Sequence, residues 1–404
     1  MTTPSARAVL AIGDFRYFLG TRFLSAIALQ MVSVAVGWQV YDLTGDPLHL
    51  GLVGLVQFLP AFACALPAGH VADRFDRRRV LMGCLGVELL CLLALLGLAL
   101  MQSPPLEALL AVLAVMGATR AFMQPASQSL VPHLVPREMF PRAVAWASSS
   151  FQTAVIAGPA LGGALYVFGV ATVYSAAAAM ITLALASITR IKTRLMFHAA
   201  VETGLTGLLA GVRYVLQRKD ILGAVSLDLF AVLLGGATAL LPIYARDILH
   251  VGPMGLGVLR SAPAAGAAVM AFWLAHHPLE RNAGARMFLA VGVFGLATLV
   301  FGLSTNFWLS LGALAVLGCA DMISVVVRQT LVQARTPDEM RGRVSAVNFV
   351  FIGASNELGE FESGLTAAWF GTVPAVIVGG LGTLAVAALW AWKFPALRKV
   401  DRLT

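Results

Sequence analysis

Read for runs of apolar positions, the chain gives twelve stretches long enough to cross a bilayer, which takes roughly 20 residues of helix. Six fall at about 16–41, 48–72, 79–101, 107–128, 143–167 and 170–191. Six more fall at about 221–245, 254–277, 285–305, 307–331, 343–368 and 373–394. Polar residues collect between the runs. The longest polar segment, 192–220, carries Lys192, Arg194, Arg213, Arg218 and Lys219, and Leu and Val recur at helical spacing from Gly204 to Leu216. It reads as a linker with an amphipathic helix on the membrane surface. The pattern predicts an all-α membrane protein of twelve transmembrane helices in two six-helix bundles, residues 1–191 and 221–404, joined by the linker 192–220.

Composition removes the alternatives. Of 404 residues, 59% are hydrophobic and 12% charged, about half the ~25% of soluble domains. A soluble surface needs more charge, and disordered chains are polar rather than apolar. The four cysteines, Cys64, Cys84, Cys91 and Cys319, sit singly in apolar runs and form no CxxC pair. They read as small core residues, not as a disulfide framework or zinc site. No cofactor or metal is implied. Residues 1–14 are short and polar and the run after them is too long for a signal core, so the first helix is expected to stay in the membrane.

The net charge of +8 becomes informative once placed. Twenty-three of the 28 Lys and Arg residues fall in the N-terminus, the loops after spans two, four, six, eight and ten, and the C-terminus. The opposite loops hold only Arg246, and Arg22, Arg120, Arg260 and Arg328 lie within spans. By the positive-inside rule both termini are cytoplasmic. The excess of base is topological, and no nucleic-acid partner is expected.

The two halves repeat with an offset of 201 residues. Gln128-Ser129-Leu130-Val131 matches Gln329-Thr330-Leu331-Val332, Pro136 with Glu138-Met139 matches Pro337 with Glu339-Met340, Arg142 matches Arg343, and Gly117 matches Gly318. Six spans repeated in one orientation relate the bundles by a pseudo-twofold axis. Such repeats place a binding site near the bilayer midplane and rock to give alternating access.

Charge inside a span costs roughly 2.5–3.5 kcal/mol on insertion scales, so intramembrane acids are functional candidates. They are Glu88, Asp228, Asp321, Glu357, Glu360 and Glu362. On one helix Glu357 and Glu360 lie about 60° apart and Glu362 about 140° from Glu357. The pair can line a cavity while Glu362 meets another surface. Glu357, Glu360 and Asp321 are the proton-coupling candidates, because neighbouring buried carboxylates push their affinities for protons apart. The repeat sets Arg120 and Asp321 at equivalent positions, either across a cavity from one another or on opposite charges of a substrate. Asp228, Gln39 and Gln57 complete the expected cavity lining. Arg328, about two turns from Asp321, is read as a partner for a loop carboxylate, and Asp42 as part of a solvated loop.

The loop after the second span reads Gly69-His70-Val71-Ala72-Asp73-Arg74-Phe75-Asp76-Arg77-Arg78. It resembles the signature loop G-x-L-a-D-r-x-G-r-k of the major facilitator superfamily, with Asp76 in place of a glycine. The resemblance implies a gate motif of Gly69, Asp73, Arg74, Arg77 and Arg78, with Asp73 facing the start of the eleventh helix. Ala154 to Gly163 resembles the superfamily's antiporter motif and contributes a helix bend at Gly158, Pro159, Gly162 and Gly163. Arg120 matches the helix-4 arginine of drug exporters, although Met123-Gln124-Pro125 replaces the glycine pattern. Together with Arg22-Phe23-Leu24-Ser25 and Thr336 to Arg343, these motifs are similar to the drug/proton antiporter branch, which holds siderophore exporters and macrolide efflux pumps. The resemblance implies a monomeric secondary transporter exporting a medium-sized organic molecule (siderophore, drug or metabolite) by proton antiport. The alternatives are a cation-binding or facilitative carrier, or a membrane-embedded enzyme. The last lacks any H-E-x-x-H, G-x-S-x-G or P-loop motif.

Overall fold

The computed structural model describes residues 8–193, 205–277, 279 and 281–401. All of its regular elements are helical. The long ones are α1 (Gly13–Thr44), α2 (Pro47–Arg74), α3 (Arg77–Ala99), α4 (Leu106–Leu134), α5 (Phe140–Tyr166), α6 (Val170–Ile188), α7 (Leu205–Gln217), α8 (Lys219–Leu234), α9 (Gly252–His276), α10 (Ala283–Leu303), α11 (Phe307–Arg335), α12 (Asp338–Phe370) and α13 (Thr372–Lys393).

Their ends follow local chemistry. Gly45, at φ 62°, terminates α1. One residue on, the Asp46 carboxylate accepts the Leu48 N–H at 2.9 Å and opens α2. Asp76 caps α3, taking the Arg78 N–H at 2.9 Å. The sequence loses a turn glycine there and gains an N-cap. Asn306 caps α11 through the Trp308 and Leu309 N–H groups. The turns at Phe168-Gly169 and Phe370-Gly371 both use a glycine at positive φ, 101° and 91°. Only glycine adopts that geometry without cost. The two turns extend the internal repeat, now with an offset of 202, beyond the matches found by reading alone.

Among the described residues, ten helical segments are long and apolar enough to cross a membrane, including Lys219–Ile248 as one. α5 and α12 are not among them, which departs from the expected twelve. The reason lies in their polar residues. α5 carries Arg142, Ser148-Ser149-Ser150 and Gln152, and α12 carries Asn356 and the three glutamates. Large apolar side chains on the other helices, among them Phe272, Leu289, Trp308 and Trp392, are exposed. Such a surface suits lipid rather than water.

The chain divides into two compact units, 1–39 with 56–201 and 40–55 with 202–404. In the first, α3 packs against α4 and α6; in the second, α10 packs against α11 and α13. The equivalent helices of the repeat thus make equivalent contacts within each unit. Small residues make the close approaches. A Cβ on Gly117 of α4 would collide with the Gln57 carbonyl of α2. A Cβ on its counterpart Gly318 of α11 would collide with the Pro263 carbonyl of α9. Of the linker, residues 194–204, including Arg194, lie outside the described residues. The expected amphipathic helix is α7, which packs on α12, with Gly211 against the Arg343 carbonyl.

Candidate functional site

In the second unit the seventh apolar stretch is not one continuous α-helix. α8 stops at Leu234, Gly235-Gly236 intervene, and a 3₁₀ turn (Ala237–Leu240) and a π turn (Tyr244–Ile248) follow. A Cβ on Gly236 would lie 2.6 Å from the Gly359 carbonyl of α12, so the break rests against the backbone between Leu358 and Glu360. Discontinuous helices are the usual builders of substrate sites in transporters.

Below the break lies a cluster of intramembrane charges. Arg328 of α11 pairs with Asp228 of α8 at 3.2 Å, their side chains 3% and 7% exposed. Its other terminal nitrogen donates to Asn348 Oδ1 of α12 at 2.8 Å, and its Nε–H has no partner among the described residues. One guanidinium therefore ties three helices. The expected loop carboxylate is replaced by an acid in a span a hundred residues earlier. Asp321 and Ser324 of α11 line, with Asp228, a cavity of ≈10 Å³, about the size of a single water. With both carboxylates ionised the group carries a net −1, and one bound proton makes it neutral. Burial makes that difference large, because an isolated charge in an apolar interior is costly.

The α12 glutamates lie in different settings. Glu360 meets α2 with its side chain, and Glu357 with its backbone carbonyl. A Cβ on Gly54 would lie 3.0 Å from Glu360 Oε2 and 3.3 Å from the Glu357 carbonyl. Glu362 instead accepts the Thr366 hydroxyl at 2.8 Å within its own helix.

The remaining expected residues fall in varied settings. Gln39 is buried and accepts the Tyr174 hydroxyl at 2.6 Å, which places it in a helix-packing contact. Gln57 is half-buried where α2 meets α4. Arg120 is exposed and belongs to the first unit, whereas Asp321 belongs to the second. Gly158, Pro159, Gly162 and Gly163 are buried in α5. A Cβ on Gly158 or Gly162 would collide with Gln30 or with the Met31 backbone of α1, so this motif is a close α1–α5 seam. In the loop after α2, Arg77 donates to the Ser129 carbonyl at 3.2 Å and Arg78 to the Ile188 and Thr189 carbonyls at 3.2 and 2.6 Å. They complement the carbonyl ends of α4 and α6. Arg74 is exposed and Gly69 faces open space. The Asp73 side chain, and with it the expected contact to the eleventh span, lies outside the described residues.

Sequence reading missed one constellation. Asp42, expected in a solvated loop, sits in the last turn of α1 and pairs with Arg246 at 2.9 Å. Arg246 also lies over the Tyr41 ring, 5.6 Å from its centroid, while the Tyr41 hydroxyl bonds Asp247. The signal was Arg246 itself, the only base among the loops of that side.

Comparison with known proteins agrees with this architecture. Residues 4–403 match the family model described as transmembrane secretion effector. The enterobactin exporter EntS of Citrobacter koseri is 28% identical over 391 residues, covering 95% of this chain and 92% of that protein. Among solved structures, the nucleoside transporter NupG superposes with a TM-score of 0.70 at 15% identity, covering 96% and 99% of the two chains. A bacterial homologue of the iron transporter ferroportin, in an inward-facing state, superposes at 0.72 and 14% identity, covering 94% and 98%. These two likenesses concern the fold. A match over nearly the whole length, with the signature loop between α2 and α3, places the chain in the transmembrane secretion effector family of the major facilitator superfamily, as a multi-pass membrane transporter.

Proposed function

We propose that the protein is a monomeric secondary exporter of the bacterial inner membrane, with both termini cytoplasmic, that moves a medium-sized organic molecule outward by proton antiport. Twelve helices in two six-helix bundles, related by a pseudo-twofold axis, would alternate access to a central cavity. α5 and α12 cross the membrane despite their polar residues because those residues face protein or the cavity rather than lipid. The substrate class follows the relative: a siderophore such as enterobactin, or a drug or metabolite of similar size.

The observation that carries the coupling is the buried set of Asp228, Asp321 and Arg328, two acids sharing one base. Asp321 takes the proton. Asp228 stays paired with Arg328, which also holds Asn348. Glu357 and Glu360, beside the helix break at Gly235-Gly236, line the cavity and relay protons to it from the outer side. Arg120 attracts an anionic substrate from the first unit. In the outward step, substrate leaves as a proton binds. In the return step the acid cluster crosses neutral, because a bare charge would be costly.

Efflux from proteoliposomes loaded with enterobactin, with an imposed pH gradient, tests this reading. Efflux should follow the gradient, stop when an uncoupler collapses it, and fall sharply in an Asp321→Asn variant and in a Glu357→Gln, Glu360→Gln double variant. Wild-type, gradient-dependent rates in both variants would remove the coupling assignment.

A further inference from the structure

A cavity of ≈610 Å³ opens where the start of α8 meets the last residue of α11 and the C-terminal tail. It is lined by four bases, Arg218, Lys219, Arg335 and Lys399, and two acids, Asp220 and Asp401. The acids are already engaged. Asp220 is shared by Arg218 at 3.5 Å and Arg335 at 3.3 Å. Asp401 accepts the Asn282 N–H at 2.9 Å through its carboxylate, and its carbonyl takes the Ala283 N–H, closing the start of α10. Lys219 and Lys399 enter no ion pair among the described residues. The walls therefore carry two cations in excess, both exposed.

The surroundings decide which anion suits the cavity. It lies where Arg218 and Lys219 at the start of α8 meet Arg335 at the end of α11 and Lys399 of the tail. Its rim is Gln217, the last residue of α7. On that helix Leu209 and Leu216, seven residues apart and so on one face, are 62% and 60% exposed. An exposed apolar strip leading to a basic hollow is two-part chemistry: a surface for acyl chains and a socket for a phosphate. Basic pockets at the ends of transmembrane helices recognise anionic headgroups in this way. A soluble phosphate compound would use the socket and leave the leucines bare.

We propose that this cavity binds the phosphodiester headgroup of an anionic phospholipid, with Lys219 and Lys399 as the phosphate ligands and Leu209 and Leu216 alongside the acyl chains. Arg218 and Arg335 hold Asp220 away from the phosphate. The site is separate from the charge cluster of Asp228, Asp321 and Arg328 and does not depend on what the protein exports.

Native mass spectrometry of the full chain in detergent, with phosphatidylglycerol or phosphatidylcholine added, tests it. The wild-type protein should retain phosphatidylglycerol in preference. A Lys219→Ala, Lys399→Ala double variant should lose about tenfold in retention, at roughly one kcal/mol per surface base attenuated by detergent. A Lys219→Arg, Lys399→Arg variant should keep it. Millimolar inorganic phosphate should not displace the lipid. Equal retention of the two lipids by the wild type, or unchanged retention in the double alanine variant, would overturn the site. Displacement by inorganic phosphate would overturn the lipid assignment in favour of a soluble phosphate ligand.

Discussion

Arg328 holds two helices to its own with one side chain, through Asp228 and Asn348. Truncating it leaves a carboxylate buried without compensation, which costs about 3–5 kcal/mol where such pairs have been cut on one side. Arg328→Met should therefore lower the thermal unfolding temperature in detergent markedly, and adding Asp228→Asn should recover most of the loss. A single Arg328→Met variant as stable as wild type would show that the pair is not held in the native state. The acids of this cluster were legible in the sequence, since a charge in an apolar run announces itself. Their pairing was not, because helical spacing says which residues share a face but not which helix that face meets. The same limit hid Asp42, whose partner Arg246 is two hundred residues away. The role of Asp76 was not readable for a different reason: the family pattern has a turn glycine there, whereas here a carboxylate before an arginine-rich helix start serves as an N-cap.

Among the elements, α11 offers an internal control. Gly318 is pressed against the Pro263 carbonyl, while Gly312 on the same helix has open space around it. Gly318→Ala must push α9 away and should cost about 1–3 kcal/mol, the usual price of overpacking. Gly312→Ala should be neutral or stabilising by up to about 1 kcal/mol, through helix propensity alone. Thermal unfolding of the two variants checks this, and equal effects would contradict the close α9–α11 seam. The helix inventory was largely readable from hydropathy, and the repeat gave Gly117 and Gly318 as equivalents before any contact was known. The break in α8 at Gly235-Gly236 was not readable, because the apolar run continues through it. The weak hydropathy of α12 was itself informative: one of the residues that lower it, Glu360, brings its side chain against Gly54 of α2.

Over the whole molecule, the distribution of bases predicts a topology that can be checked directly. Reporter fusions after Leu234 of the seventh span should be sensitive to which half of the helix they retain, so the cleaner sites are the loops. A cysteine placed at Gln102 should react with an impermeant maleimide from outside intact cells, and one placed at Arg137 should not; the reverse would invert the protein. The Asp42–Arg246 pair is 56% and 39% exposed, so Arg246→Gln should change stability by less than about 1 kcal/mol. If the pair closes the outer end during the cycle, that variant should nevertheless alter efflux rate, read in the same proteoliposomes. The central claim, that substrate and proton compete through Asp321, is tested most directly by proton release. Enterobactin is added to the purified full chain in weakly buffered detergent containing a pH indicator, and binding is followed in parallel. The account predicts substrate-dependent proton release from the wild type and little or none from Asp321→Asn. Binding without release in the wild type, or equal release in the two proteins, would contradict it.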